Sequence, residues 1–226
     1  MITVLVLPDP EAVGRRAADL VAETIGRALA DGRRFTWAIS GGEAPIPFFR
    51  RLGGLGLPWH RIDTWQVDER IVPTGDPSRN RSAQDRALPP GARGGIRWMP
   101  VEDEDLPAAA ARYAATLPER FDIVHLGLGA DGHTASLVPG DPVLDVLDRD
   151  VAVTGPYEGR RRMTLTYPAL ALADRVIWIV TGSRKRDALR RLTGGDRSIP
   201  AARISVPDQV VVTDLGPDAE DQQAGA

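Results

Sequence analysis

Short apolar runs alternate along the chain with longer stretches in which apolar residues recur every three or four positions. The first run covers residues 2–7, and residues 10–30 then have the spacing of an amphipathic helix. Further apolar runs predict strands over residues 35–39, 62–67, 123–128, 163–167, 176–181 and 210–213. Helical spacing predicts further helices over residues 45–52, 79–88, 106–117 and 184–192. Several of the strands are apolar on both faces, which is typical of a sheet covered by helices on both sides.

This alternation predicts an α/β fold with a mostly parallel sheet. The chain has 226 residues, 42% of them hydrophobic, which is enough for one sizeable core and short for two. We expect a single domain over residues 1–215. The small and polar residues 216–226 are expected to form a frayed tail.

Composition narrows the possible classes of function. The 28 basic and 31 acidic residues give a formal charge of -3, so no overall basic field indicates nucleic acid binding, and any anion site must be local. The absence of cysteine excludes disulfides, thiolate metal ligands and a cysteine nucleophile, and it fits a reducing compartment. No apolar run approaches the roughly 20 residues of a membrane span, and the first residues lack the pattern of a signal peptide. We therefore expect a cytoplasmic protein that binds neither membranes nor nucleic acid.

A glycine-containing loop follows the second predicted strand. Ser40, Gly41 and Gly42 lead into Pro45, a favourable first residue of a helix. Open parallel sheets bind ligands at the carboxyl ends of their strands, and free N–H groups in such a loop attract anions. A plain strand-to-helix turn explains the loop equally well, so the loop alone leaves both interpretations open.

Residues 127–133 form a second loop of this kind, with three glycines and a terminal His133. This density of glycine indicates a sharply bent backbone or the close approach of a ligand. A lone histidine is more often structural than catalytic, but Asp131 nearby favours acid–base chemistry by His133, which we expect at the start of a helix. We expect His60 to lie in a turn and His125 to be a buried imidazole with satisfied hydrogen bonds. The three histidines have no metal-ligand spacing, so no catalytic metal is predicted.

Charged residues stand at two further strand ends. Asp68, Glu69 and Arg70 follow the third predicted strand, where alternating side-chain directions allow one carboxylate to face a cleft; a solvated ion-pair cluster is the alternative. Three arginines at residues 160–162 indicate a solvated turn, although the last of them leads into a strand and can project from its end. Lys185 follows another predicted strand. Lys185 and Arg162 are therefore candidate phosphate ligands.

Together these segments resemble the 6-phosphogluconolactonase family, whose relatives include the glucosamine-6-phosphate deaminases. The matching segments follow the family's order over most of the chain and are Ser40-Gly41-Gly42 with Pro45, Asp68-Glu69-Arg70 with Val72, Pro73 and Asn80, residues 127–139, residues 162–166, and residues 180–182 with Lys185. The long glycine–histidine segment is the specific one. Two positions depart from the family pattern. At the first, Arg79 stands where a serine usually precedes Asn80. The nearest serine is Ser78, one position earlier, so its contact with the substrate is in question. At the second, Val138 stands where a phenylalanine is common.

The resemblance implies a modified doubly wound fold and catalysis on a sugar-phosphate lactone without a cofactor. His133 matches the catalytic histidine and Asp131 the acidic residue beside it, and we add Asp68 and Arg70 to the candidate catalytic residues. The candidate substrate- and phosphate-binding residues are Ser40, Gly41, Gly42, Asn80, Gly129, Arg162 and Lys185. We expect a monomer whose only partner is the small-molecule substrate.

Lactone hydrolysis requires an activated water, a stabilised oxyanion and a proton for the leaving ring oxygen. An imidazole, with an ordinary pKa of about 6.5, can exchange protons with water near neutral pH, so we give His133 that role. Asp131 would orient the ring, as the aspartate of a catalytic triad does. Backbone N–H groups of the glycine loops, together with Arg70, would face the oxyanion.

Two other functions are compatible with parts of the sequence. A deaminase acting on an amino-sugar phosphate would use Asp68 as the proton-abstracting base, but such enzymes carry Phe-Asn-Glu-Pro after the histidine, where this chain has residues 135–139, Ala-Ser-Leu-Val-Pro. A non-catalytic sugar-phosphate sensor would need neither His133 nor Asp131. We also expect no DNA-binding segment of the kind that accompanies such sensors.

Overall fold

The computed structural model describes residues 2–216, so the predicted frayed tail lies, apart from its first residue, outside the described residues. The strands are β1 (Ile2–Val6), β2 (Phe35–Ile39), β3 (Ile62–Gln66), β4 (Asp68–Arg70), β5 (Ile96–Arg97), β6 (Phe121–Gly127), β7 (Val151–Val153), β8 (Arg162–Leu165), β9 (Ala173–Val180) and β10 (Asp208–Thr213). The helices are α1 (Pro10–Ala30), α2 (Ile46–Gly53), α3 (Asn80–Ala87), α4 (Pro90–Arg93), α5 (Leu106–Ala114), α6 (Tyr167–Leu170) and α7 (Arg186–Thr193).

Seven strands form one parallel sheet in the order β1-β10-β9-β6-β2-β3-β5. From β2 the chain winds outward through β3 to β5, and it then returns to β6 and winds the other way through β9 to β10. The winding therefore reverses between the neighbouring strands β2 and β6. Loops that leave the carboxyl ends of two such strands diverge, and a ligand crevice opens between them.

Helices cover both faces of this sheet, which confirms the predicted fold class. On one face α1 and α2 bury side chains against Trp37, Ile39 and Ile177. On the other face α5, α6 and α7 bury side chains against Val124 and Trp178. No helix within residues 2–216 is long and apolar enough to cross a membrane. The assignment of residues 1–215 to one domain stays a prediction.

Helix α1 illustrates how local sequence sets an element. Asp9 caps its amino end by accepting a hydrogen bond from the Ala12 N–H at 2.6 Å, and Pro10 follows as the first helical residue. The buried face of α1 then contacts α2 closely at Gly14, where an added Cβ would lie 2.6 Å from Cβ of Pro47. A glycine is thus required for the two helices to pack at this distance.

A second, antiparallel sheet was not predicted. Strands β4, β8 and β7 form it, with Asp68 opposite Thr164 and Arg70 opposite Arg162. We predicted residues 68–70 as a loop and residues 163–167 as part of the main sheet, and both predictions were wrong. The pairing is long-range, and polar side chains in a three-residue strand give no local strand signal. This small sheet brings Asp68, Arg70 and Arg162 to the edge of the crevice.

Candidate active site

A cleft of about 410 Å³ opens at the carboxyl ends of β2 and β6, where the winding reverses. Ten of the eleven predicted site residues line it: Ser40, Gly41, Gly42, Asp68, Arg70, Asn80, Gly129, His133, Arg162 and Lys185. The eleventh, Asp131, contacts the side chain of His133. Residues that are 145 positions apart in the sequence therefore share one cleft.

His133 and Asp131 form a tightly bonded pair. Nδ1 of His133 lies 2.6 Å from Oδ1 of Asp131, which also accepts the backbone N–H of His133 at 3.1 Å. Because an ionised carboxylate only accepts, Nδ1 is the protonated nitrogen, and Nε2 of the neutral ring keeps its lone pair. Within residues 2–216 Nε2 has no partner. Contrary to our expectation, no helix begins at His133; residues 134–139 instead form turns, with a single bridge between Thr134 and Leu137.

The glycines before His133 have distinct structural roles. A Cβ at Gly129 would lie 2.1 Å from Nδ1 of His133 and 2.5 Å from Oδ1 of Asp131. Gly132 has a φ of +83°, and a Cβ there would meet the side chain of Ile199. The backbone therefore leaves the space in which the Asp131–His133 pair lies.

The Asp131 carboxylate is held in its ionised form. Partial burial raises its pKa, but hydrogen bonds from the backbone and ring of His133 and from the Tyr157 hydroxyl outweigh that effect, so the pKa is lowered overall. The Tyr157 hydroxyl donates to Oδ2 at 3.2 Å. Tyr157 was not among the predicted site residues.

The Ser40-Gly41-Gly42 loop also lines the cleft. Within the described part of the chain, the N–H groups of Gly41 and Gly42 have no acceptor, and the buried Oγ of Ser40 has no hydrogen-bond partner. Helix α2 begins at Ile46, one residue after Pro45, which occupies the capping position. Free donors of this kind favour an anion site over a plain turn.

His125 lies beneath the same loop. Its Nδ1 accepts the N–H of Ser40 at 3.3 Å, and its ring packs against Phe48 and Phe49. Complete burial lowers its pKa to about 3, so the ring stays neutral at physiological pH. Our expectation of a fully satisfied imidazole was wrong for one nitrogen, because Nε2 is buried with no partner among the described residues.

The side chains of Asp68 and Glu69 point in opposite directions, as the alternation of a strand requires. Asp68 faces the cleft and is 5% exposed; its carboxylate accepts from Nδ2 of Asn80 at 2.9 Å and from Oγ of Ser136 at 2.6 Å. Glu69 is fully buried and accepts the N–H of Asn80 at 2.7 Å, at the start of α3. Arg70 donates to the Asn80 side chain and to a backbone carbonyl. The alternative of a solvated ion-pair cluster was wrong, since both carboxylates are buried.

Arg79, the first departure from the family pattern, does not line the cleft. Its side chain is 1% exposed, it forms an ion pair with Glu102, and its Nε lies 3.6 Å from Oε2 of Glu69. Ser78 donates instead to Asp76 at 2.6 Å and does not line the cleft. Arg79 is therefore part of the support behind β4 and α3, and Val138 at the other departure is buried.

Four cationic side chains and two carboxylates line the cleft. The cations are Arg70, Arg162, Arg184 and Lys185, and the carboxylates are Glu43 and Asp68. Arg162 is 5% exposed and begins β8, in agreement with its exception from the solvated turn predicted for residues 160–162; burial lowers its pKa, and burial likewise lowers the pKa of Lys185. The cleft thus carries positive charge although the whole chain carries -3. No group of three or more histidine, aspartate or glutamate side chains within residues 2–216 is placed to hold a metal ion.

The residues of the site that escaped the sequence reasoning include Glu43, Tyr157, Ser136 and Arg184. Ser136 stands inside the resembling segment, and Arg184 directly precedes Lys185, so position in a motif was a usable signal for both. Tyr157 has no such signal. It reaches Asp131 only because of the way the chain between β7 and β8 folds back.

Comparison with known proteins agrees with the fold and with the family that the sequence resembles. A family model described as glucosamine-6-phosphate isomerases/6-phosphogluconolactonase matches residues 8–213. A 6-phosphogluconolactonase of Nostoc sp. is 37% identical over 205 residues, which cover 84% of each chain. The crystal structure of a 6-phosphogluconolactonase from Thermotoga maritima has a TM-score of 0.84 at 24% identity, over 94% of this chain and 99% of that one. A monomeric glucosamine-6-phosphate deaminase has a TM-score of 0.83 at 20% identity, over 93% and 96%; at these identities the two structures show the fold alone. The family match and the relative from Nostoc show that this chain belongs to the family of glucosamine-6-phosphate isomerases and 6-phosphogluconolactonases.

Proposed function

We propose that this chain hydrolyses 6-phospho-D-glucono-1,5-lactone to 6-phosphogluconate, a reaction of the oxidative pentose phosphate pathway. The observation that carries the proposal is the Asp131–His133 pair, whose Nε2 is left with a free lone pair on a side chain that lines a cationic cleft. The relative from Nostoc, named 6-phosphogluconolactonase, supports the same substrate.

In the first step His133 acts as the general base. Nε2 takes a proton from a water molecule, whose oxygen attacks the lactone carbonyl carbon and forms a tetrahedral intermediate. The imidazolium that results is stabilised by Asp131, which stays ionised because its pKa is lowered. No covalent bond forms between the enzyme and the substrate.

In the second step the same nitrogen acts as the general acid. Collapse of the intermediate breaks the bond between the carbonyl carbon and the ring oxygen, and Nε2 of His133 returns the proton to that oxygen. The N–H of Gly129, an expected donor to the oxyanion, is engaged with the His133 carbonyl at 2.8 Å. We therefore assign oxyanion stabilisation to Arg70, which lines the cleft and is held by Asn80.

The phosphate of the substrate is assigned to the Ser40-Gly41-Gly42 loop and to two of the cations that line the cleft. The free N–H groups of Gly41 and Gly42 and the Ser40 hydroxyl are donors without protein acceptors in residues 2–216. Arg162 and Lys185 supply the opposite charge. Asn80 stays a candidate for substrate binding and Asp68 a candidate catalytic residue, and Gly129, whose missing side chain makes room for the Asp131–His133 pair, stays a candidate through its place in the cleft lining.

One experiment tests the reaction and the role of His133 together. Purified protein in the presence of a chelator is mixed with freshly prepared 6-phosphogluconolactone, and acid release is compared with a protein-free control. We expect acceleration that scales with protein concentration, and a loss of at least about 100-fold in kcat for His133→Asn, because general acid–base catalysis contributes 10²–10⁴. His60→Asn is the matched control, since His60 is exposed and does not line the cleft.

Parallel measurements distinguish the other functions. Ammonia release from glucosamine 6-phosphate without accelerated lactone opening would favour a deaminase with Asp68 as the base. Saturable binding of a sugar phosphate with neither reaction would favour a sensor. Retention of more than a third of the turnover by a folded His133→Asn variant would contradict the assigned role of the histidine.

A further inference from the structure

Tyr157 lies in a hairpin between β7 and β8. The backbone groups of Tyr157 and Arg160 form two hydrogen bonds, of 3.0 and 3.1 Å, around a two-residue turn. Both turn residues have positive φ values, 51° at Glu158 and 75° at Gly159, as in the tightest hairpin turns. A glutamate rarely adopts this conformation, and such strain persists where the surrounding structure fixes it, often near functional sites.

Three contacts converge on the Tyr157 side chain. Its hydroxyl donates to Oδ2 of Asp131 at 3.2 Å, while His133 uses the other carboxylate oxygen. The edge of one ring meets the face of the other between Tyr157 and His133, with centroids 5.4 Å apart. The guanidinium carbon of Arg162 lies 4.8 Å from the centre of the Tyr157 ring. Tyr157 therefore touches the acid–base pair and one of the cations assigned to the phosphate.

We infer that Tyr157 is a positioning residue, which fixes the Asp131 carboxylate by its second oxygen and connects the Asp131–His133 pair to Arg162. The inference deepens the proposed lactonase function and rests on it for its kinetic consequences. Tyr157 itself need not touch the reacting atoms.

The need for a donor to the second carboxylate oxygen follows from the exposure of the pair. The Asp131 side chain is 38% exposed and that of His133 is 25% exposed, so water can compete for the carboxylate. A carboxylate held by one oxygen can rotate, and rotation would release the Nδ1 proton that sets the tautomer of His133. The Tyr157 hydroxyl removes that freedom. Burial and the neighbouring Asp131 raise the pKa of Tyr157, so the phenol keeps its proton at neutral and mildly alkaline pH.

The ring of Tyr157 serves the other contact. Arg162 is buried, and its Nε has no hydrogen-bond partner within residues 2–216. Its guanidinium carbon lies over the aromatic ring, an arrangement that orients arginine without a hydrogen bond, and one outer nitrogen lies 3.4 Å from a carboxylate oxygen of Glu158 in the same turn. The ring therefore fixes the orientation of the Arg162 guanidinium, and the hydroxyl fixes the orientation of the Asp131 carboxylate.

Tyr157→Phe separates these two roles because it removes only the hydroxyl. We expect kcat for the phosphorylated lactone to fall about 3- to 10-fold, the range of one ordinary hydrogen bond, because the carboxylate that loses the donor is partly exposed to water. KM should change less than about twofold. Tyr167→Phe is the matched control, since the Tyr167 hydroxyl donates to the carbonyl of Pro200 at 3.0 Å and lies outside the cleft.

A double-mutant cycle tests whether the hydroxyl acts through Asp131. In an Asp131→Ala background, Tyr157→Phe should lower kcat by less than about 1.5-fold, because the acceptor of its hydrogen bond is gone. Equal losses in both backgrounds would show that Tyr157 acts elsewhere and would overturn the inference. Tyr157→Leu should in addition raise KM for the phosphorylated lactone at least about threefold, with little change for the unphosphorylated lactone.

A measurement without substrate keeps the inference separate from the proposed function. In ¹⁵N NMR spectra at a pH where the ring is neutral, His133 should be a single Nδ1–H tautomer in the wild type and in Tyr167→Phe, and a mixture in Tyr157→Phe. An unchanged tautomer in Tyr157→Phe would overturn the positioning role. If the wild type failed to open the lactone, the proposed function would fall, but the tautomer result would still decide the role of Tyr157.

Discussion

Gly129 shows how the absence of one methyl group sets the geometry of the proposed acid–base pair. Asp131 and His133 lie against its backbone, and a Cβ would overlap both side chains, at 2.1 and 2.5 Å. Gly132 allows the turn between them by its positive φ. The spacing Gly-x-Asp-Gly-His is thus a steric requirement of the pair.

We predict that Gly129→Ala abolishes most of the activity while the protein still folds. The added methyl group must displace His133 or Asp131 by about 1 Å, and displacements of this size in a reaction centre cost on the order of 100-fold in rate. Lactone opening measures the rate, and circular dichroism the fold. Gly94→Ala is the control, because a Cβ at Gly94 meets open space. Wild-type activity in Gly129→Ala would mean that the pair tolerates movement and that its described geometry is not required.

Single residues also mark the limit of sequence reasoning. His133 and Asp131 were predictable because they stand two positions apart in one loop. Tyr157 was not, because it contacts Asp131 across 26 residues through a turn with two positive φ values. We also could not predict that only one ring nitrogen of His125 has a hydrogen-bond partner among the described residues. This depends on which backbone N–H faces the ring. Local spacing therefore predicts the pair, and tertiary contacts determine its support.

At the scale of elements, periodicity predicted what is long and amphipathic. The predicted helix over residues 10–30 and the strand over residues 35–39 agree with α1 and β2, because each buries a regular face. The two-residue β5 and the polar β4 were missed, since their pairing partners and not their own side chains hold them in place. Consequently the longer strands of the main sheet were predictable, and the small sheet that carries Asp68 and Arg162 was not.

Two glycines of α1 give a matched test of how closely this helix packs on α2. Gly14→Ala should lower the free energy of unfolding by about 1–3 kcal/mol, because the new methyl group would lie 2.6 Å from Pro47 and must push the helices apart. Gly26→Ala should raise it by about 0.5–1 kcal/mol, since Gly26 is exposed within the same helix and its Cβ meets nothing within 4 Å. Urea denaturation measures both. Equal effects of the two substitutions would contradict the close packing at Gly14.

For the molecule as a whole, the charge of the cleft is opposite in sign to the net charge of the chain. The chain carries -3, yet the cleft is lined by four cations and two carboxylates. Of the 28 basic residues, 27 are arginines, and the single lysine is Lys185, which lines the cleft. An ammonium is a compact charge that can be deprotonated, whereas a guanidinium cannot. A reagent that reacts with neutral amines can therefore modify Lys185 but not the arginines.

We predict that Lys185 is the site at which an aldehyde bearing a phosphate inactivates the enzyme. Burial lowers the pKa of Lys185, so at pH 8 a larger fraction of its amine is neutral and nucleophilic than for an ordinary lysine. Pyridoxal 5′-phosphate followed by borohydride should modify Lys185 and remove lactonase activity in parallel, and 6-phosphogluconate should slow both. Pyridoxal without the phosphate should react much more slowly. Peptide mapping separates Lys185 from the terminal amine, and Lys185→Arg, which keeps the charge, should resist inactivation. If 6-phosphogluconate gave no protection, or if Lys185→Arg were inactivated at the wild-type rate, Lys185 would not lie at the phosphate position of the cleft.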